Sequence, residues 1–172
     1  MSYARMRALI VLSVLTVAAI VFVAVALVQD TQTEATTVEE CPEGYVLANV
    51  ALPEPKDVKL KVFNAAGQNG LGARVSTDFS NRKFQVEKPE NSDRTSDDVA
   101  ILRYGPKTVG AAHLLRAYFL DNALTEYDEG RDSDIVDVVI GTGFEQLATT
   151  TEVNQSLVEL GQAEVPPGAC AA

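Results

Sequence analysis

The chain opens on an uncharged apolar run, passes through a polar stretch, and then settles into alternating short periodic segments. The run covers residues 8–28. At about 1.5 Å of rise per residue, a helix of this length reaches roughly 30 Å, the hydrocarbon thickness of a bilayer. It predicts one N-terminal transmembrane helix. Residues 29–40 hold almost nothing that can pack in a core and read as a charged tether. Cys41-Pro-Glu-Gly44 and Pro53-Glu54-Pro55 are turn signals, and residues 45–52 between them suit a short strand or an extended segment. From Val58 the pattern tightens. Val58, Leu60 and Val62 alternate with Lys59 and Lys61, as in a strand with one wet face. Leu71, Val75 and Phe79 recur at helical spacing. Residues 84–87 suit a second strand and residues 89–97 a polar loop. Residues 99–104 form a third strand, stopped by Gly105-Pro106. Ala111, Leu114, Leu115, Tyr118 and Phe119 mark a second helix. Residues 124–127 are a further candidate strand, and Ile135–Ile140 a buried one. Leu147, Val153, Leu157, Val158 and Leu160 suggest a third helix within 145–162. Pro166-Pro167-Gly168 is expected to end regular structure.

The predicted fold class is α+β: a β-α-β-β-α-β sheet plus one strand, with the helices packed on one face. The segments 60–88 and 101–129 match loosely as two halves. The predicted organisation is a cytoplasmic tip (1–7), a transmembrane anchor (8–28), an extracytoplasmic linker (29–57), a domain (58–144), and a C-terminal helix and tail (145–172).

Charge sets the orientation. Arg5 and Arg7 precede the apolar run, and no other basic residue appears until Lys56. By the positive-inside rule the N-terminus is cytoplasmic and the rest lies outside a plasma membrane. A cleaved signal peptide is the rival reading, with Ala24-Val25-Ala26 as a cleavage pattern, but its apolar core usually runs only about 7–15 residues. Beyond the run, 12 Lys+Arg face 24 Asp+Glu, a net of about −12. Such a surface argues against nucleic acid as a partner and against anionic headgroups. Two cysteines in an oxidising compartment, Cys41 and Cys170, read as a disulfide. Lipidation of Cys41 is disfavoured because Val38-Glu39-Glu40 is not the small apolar set a lipoprotein signal needs. Cys41, Cys170 and the distant His113 make no zinc-ligand spacing.

The stretch most suggestive of chemistry is Val62-Phe-Asn64-Ala-Ala-Gly67-Gln-Asn-Gly70-Leu-Gly72-Ala-Arg74. A glycine-rich loop feeding a helix can cradle an anion with free N–H groups, which makes Asn64, Gly67, Gly70, Gly72 and Arg74 candidate ligand-binding residues. The spacing is neither the dinucleotide pattern nor a P-loop. The plainer reading is a tight turn in which Asn69 caps the helix and the glycines take positive φ. Residues 128–134 are acidic, but position 12 of a calcium loop would be Val139 rather than glutamate. No G-x-S-x-G elbow or S-x-x-K pair is present. His113, the single histidine, has no nucleophile near it in sequence. No catalytic residue, metal site or cofactor is expected.

The segment 58–144 resembles the LytR C-terminal domain. The likeness rests on Val62-Phe-Asn64-Ala-Ala-Gly67-x-x-Gly70-Leu71, on Ile101-Leu-Arg103-Tyr104-Gly105-Pro106, and on Asp137-Val-Val-Ile-Gly141-Thr-Gly143-Phe144. In that family the last motif often reads Gly-x-Asp-Phe, and here Gly143 replaces the acid. An anchor and two cysteines bracketing a single domain resemble the layout of actinobacterial envelope integrity proteins. The resemblance implies a stand-alone, non-enzymatic accessory domain at the cell envelope. Its implied partners are envelope proteins such as LytR-CpsA-Psr-type ligases, or wall polymer.

Overall fold

The computed structural model describes residues 41–172 together with residues 3, 5, 7, 12, 13, 15–19 and 21. The described residues of the N-terminal unit are helical, and Thr16 Oγ1 donates to the Leu12 carbonyl at 2.9 Å. Among the described residues no helix is long and apolar enough to cross a membrane. Most of the expected anchor at 8–28, and the tether at 29–40, lie outside the described residues.

The second unit, residues 40–172, is an α+β domain with a mixed sheet. Its elements are β1 (Val46–Ala48), β2 (Lys59–Asn64), α1 (Leu71–Asn81), β3 (Gln85–Val86), β4 (Glu90–Asn91), β5 (Ala100–Tyr104), α2 (Val109–Tyr118), β6 (Ala123–Tyr127), β7 (Ile135–Ile140), α3 (Thr150–Leu160) and β8 (Ala169–Ala171). The main sheet runs β3-β2-β7-β5-β6, with β4 also paired to β2. β7 is central, parallel to β2 and antiparallel to β5. The loosely matching halves each become a strand, a helix and a second strand parallel to the first, β2-α1-β3 and β5-α2-β6.

The alternation in the sequence decides which face is buried. Leu60, Val62, Leu102, Val136, Val138 and Ile140 point to one side and meet Leu71, Val75, Phe79, Leu114, Leu115 and Val153 from the three helices. All three helices therefore contribute to the core on a single sheet face. Phe79, Phe84 and Tyr118 pack edge-on or tilted, with ring centroids 5.1–5.8 Å apart. Such pairs contribute beyond their buried area. The opposite face carries Lys59, Lys61, Arg103 and Asp137, set in ion pairs with Asp134, Glu90, Glu126 and Arg131.

Several expectations change. The polar loop at 89–97 contains β4, because Glu90 and Asn91 come alongside Phe63 and Asn64. The strand expected at 84–87 shrinks to Gln85–Val86. The third helix begins at Thr150, fixed by a capping box in which Thr149 and Glu152 exchange hydrogen bonds. Asn69 does not cap the first helix. Gly70 takes the cap position with φ +76°, and the Gln68 carbonyl accepts the Leu71 N–H at 3.3 Å. Regular structure does not end at Pro166-Pro167-Gly168. The chain turns there, with the Ala169 N–H donating to the Pro166 carbonyl, and β8 then pairs in parallel with β1. Cys41 and Cys170 form a disulfide, Cα–Cα 5.8 Å, which fastens this two-stranded sheet. Residues 41–57, expected as part of the linker, thus belong to the compact unit.

Candidate functional site

β2 ends at Asn64, and the chain leaves the sheet through Gly67 (φ +68°) and Gly70 before α1 begins. Positive φ costs glycine little, so the turn can be tight. Asn64 is buried and organises it: its Nδ2 donates to the Gln68 carbonyl at 2.8 Å, and its Oδ1 accepts the Ala66 N–H at 3.2 Å. The segment 90–96 is drawn against the same strand end. The Ser92 N–H donates to the Asn64 carbonyl at 2.9 Å and the Ser96 N–H to the Ala65 carbonyl at 3.1 Å. On its other side the segment meets the turn after β7. The Thr142 N–H donates to the Ser96 carbonyl at 2.8 Å, and Thr142 Oγ1 to Asp97 Oδ1 at 3.1 Å. A Cβ at Gly143 would stand 2.9 Å from the Asp97 carbonyl oxygen, so backbone fills the space where the related motif often carries an acid.

Two adjoining concavities result. One, of about 190 Å³, is lined by Asn64, Asn69, Asn91, Ser92, Arg94 and Thr95, with Gly67 also on its wall. The other, of about 360 Å³, shares Asn91, Ser92 and Arg94 and adds Phe63, Glu90, Asp93 and Arg103. Glu90 is held by Lys61 at 2.8 Å, a bond that raises the Lys61 pKa above its ordinary value. Arg103 is held by Glu126 at 2.6 Å. Asp93 and Arg94 take part in no ion pair among the described residues.

Of the five candidate ligand-binding residues, the structure brings Asn64 and Gly67 into this groove. Gly70 shapes the turn without lining a cavity wall. Gly72 is buried, and a Cβ built there would stand 3.4 Å from Asn64 Cβ and 3.6 Å from Pro89 Cβ. Arg74 follows two residues later, about 200° further round a helix of 3.6 residues per turn, and so faces away. Asn91, Ser92, Arg94 and Thr95 are the groove residues that periodicity does not find. The clue present in the sequence is the polar run 89–97 itself, without its position.

His113 is buried and bonds through Nε2 to the Gly161 carbonyl at 3.0 Å. It borders a separate cavity of about 310 Å³, in which Tyr104 and Tyr127 pack together and residues 163–167 of the tail form a wall. Burial pushes the Tyr104 phenol above its usual pKa. Among the described residues no three or more His, Cys, Asp or Glu side chains gather in a metal-binding cluster.

Residues 57–144 match the family described as LytR cell envelope-related transcriptional attenuator, over half of the chain. The chain belongs to this LytR C-terminal domain family. The family is one of accessory or regulatory domains. The chain is also similar to the crystal structure of the soluble domain of a conserved hypothetical secreted protein from Mycobacterium marinum. The two are 27% identical with a TM-score of 0.56, covering 69% of this chain and 82% of that one. No curated protein matches the chain.

Proposed function

We propose that the chain is a membrane-anchored, non-catalytic accessory protein of the cell envelope, supporting wall assembly or envelope integrity by binding envelope proteins or wall polymer. The observation that carries this reading is the family match over 57–144, a stretch that holds the whole main sheet and both of its crossover helices. The uncharged run at 8–28, behind Arg5 and Arg7, supports an anchor with the domain on the outer side. The secreted character given for the Mycobacterium marinum relative agrees with that side of the membrane. LytR-CpsA-Psr-type ligases are the partner class the family resemblance offers. A photo-reactive residue placed at Val158, which is 82% exposed on α3, and a second at Leu124, 53% exposed on β6, test this in intact cells. The reading expects captured envelope proteins or wall polymer. Capture of cytoplasmic proteins alone would contradict it.

A second reading makes the Gly67–Gly72 loop a site for lipid-linked phosphoglycan precursors, and Arg94 beside Asn64 favours it. Arg74 faces away from that loop, and Glu90 and Asp93 lie on the adjoining wall, which weakens it.

A further inference from the structure

The groove between the end of β2 and the segment 90–95 combines a fixed floor with two unengaged side chains. The floor is fixed because both of its sides are tied to the sheet: Ser92 and Ser96 through their N–H groups, and Asn64 through both ends of its amide. Asp93 and Arg94 stand on that floor, and among the described residues neither takes part in an ion pair. One offers acceptors only and the other donors only. Phe63, half-buried on the sheet's open face, supplies a ring to the same wall, and Lys61 Nζ stands over that ring, 5.1 Å from its centroid. Together the two concavities fall in the range of small-molecule clefts, about 300–1,000 Å³.

Charge decides what kind of ligand fits. Glu90 is neutralised by Lys61 and Arg103 by Glu126, so the free charges are one acid and one base, and the groove is formally neutral. Residues 41–172 carry 12 Lys+Arg against 20 Asp+Glu, a net of −8. That field repels a polyanion, and one free guanidinium beside a free carboxylate does not offset it. A sugar ring instead presents hydroxyls that both donate and accept, and a C–H face that packs on an aromatic ring. We infer that the groove is a binding subsite for an uncharged saccharide segment of the wall polymer. Asp93, Arg94 and Asn91 bind its hydroxyls, and the half-buried Phe63 ring, beside the Lys61 ammonium, borders it. This rests on the wall-polymer arm of the accessory reading and names its ligand class.

The test uses the full chain in detergent micelles, titrated calorimetrically with chitotetraose and, separately, with an uncharged galactan oligosaccharide. Saturable binding to at least one is expected, and excess inorganic phosphate should leave it unchanged. Arg94→Ala and Asp93→Ala should each weaken it by about tenfold or more, the equivalent of losing one charge-assisted hydrogen bond. Both residues are exposed, and an unchanged thermal transition confirms that the variants fold. Lys83→Ala, an exposed cation just past α1, should bind as the unaltered chain does. Binding to neither sugar, displacement by phosphate, or full binding by Arg94→Ala would each overturn the subsite. Such a failure would leave the accessory reading standing if the in-cell crosslinks still reach envelope proteins. Failed crosslinks beside intact sugar binding would remove the accessory reading instead.

Discussion

Gly110 in the first turn of α2 packs against residues 49–51 of the domain's N-terminal arm. A Cβ built there would stand 1.9 Å from the Ala51 carbonyl oxygen and 2.7 Å from its carbon, whereas ordinary contact begins near 3.4 Å. The arm cannot simply retreat. The Gly110 N–H donates to the Asn49 carbonyl at 2.9 Å, and the Asn49 N–H donates to the Pro106 carbonyl at 2.8 Å. Gly110→Ala therefore forces a choice between a displaced arm and a displaced helix. Overpacking of this kind costs about 1–3 kcal/mol. Each backbone bond lost adds about 0.5–1.5 kcal/mol. Replacing glycine by alanine returns at most about 1 kcal/mol of helix propensity, less in the first turn. The steric side wins, and the variant should lose about 1–4 kcal/mol. Urea unfolding followed by circular dichroism measures this. Gly130→Ala is the control: its nearest neighbour is Asp128 Oδ1 at 3.4 Å, and its change should stay within about 0.5 kcal/mol. Equal or greater stability for Gly110→Ala would refute the packing of the arm on α2.

Leu115 is fully buried in α2, so Leu115→Ala should cost about 2–5 kcal/mol in the same assay. Cys170→Ser opens a loop with a sequence separation of 129 and leaves the β1–β8 pairing to its backbone bonds alone. It should cost about 2–5 kcal/mol under oxidising conditions and nothing once both proteins are reduced. Hydrogen bonds from the Thr149 N–H and hydroxyl hold the Glu152 carboxyl below its ordinary value of 4.5. Its folded-state pKa is depressed, so the cap's contribution is present above the unfolded value and fades as pH falls through the folded one. The protection of α3 amides, taken relative to their intrinsic exchange rates, should weaken as pH drops through that acidic window, and Glu152→Gln should remove this loss of protection.

The elements whose burial follows a period were legible in the sequence. Leu71, Val75 and Phe79 turn inward on α1 as their spacing implies, and Leu60 and Val62 do so on β2. The main failures are non-local. β1 falls inside the short strand expected at 45–52, but its partner β8 is three residues, too short to show a period, and the two meet across nearly the whole domain. β4 is a two-residue pairing inside a polar run, so only its return to Asn64 makes it a strand. The groove fails to show for the same reason. Asn64 and Asn91 are 27 residues apart, and nothing in either segment states that they become neighbours. Gly70 replaced Asn69 at the helix cap because a left-handed residue and the Gln68 carbonyl satisfy the turn without a side chain.

We propose that the domain works by contact near the membrane rather than by chemistry. At 5–6 Å × √n, a flexible tether of about 12 residues has a mean reach of about 20 Å. Deleting residues 30–39 takes most of that reach away and leaves the compact unit that starts at residue 40 untouched. The deciding measurement is lysozyme sensitivity of cells whose own copy is replaced by this deletion, by Arg74→Gln, or by Asp137→Asn, each confirmed as folded and present. The account predicts marked sensitivity with the shortened tether and near-normal resistance with either polar substitution. A harmless tether deletion beside loss of function in Arg74→Gln or Asp137→Asn would contradict it.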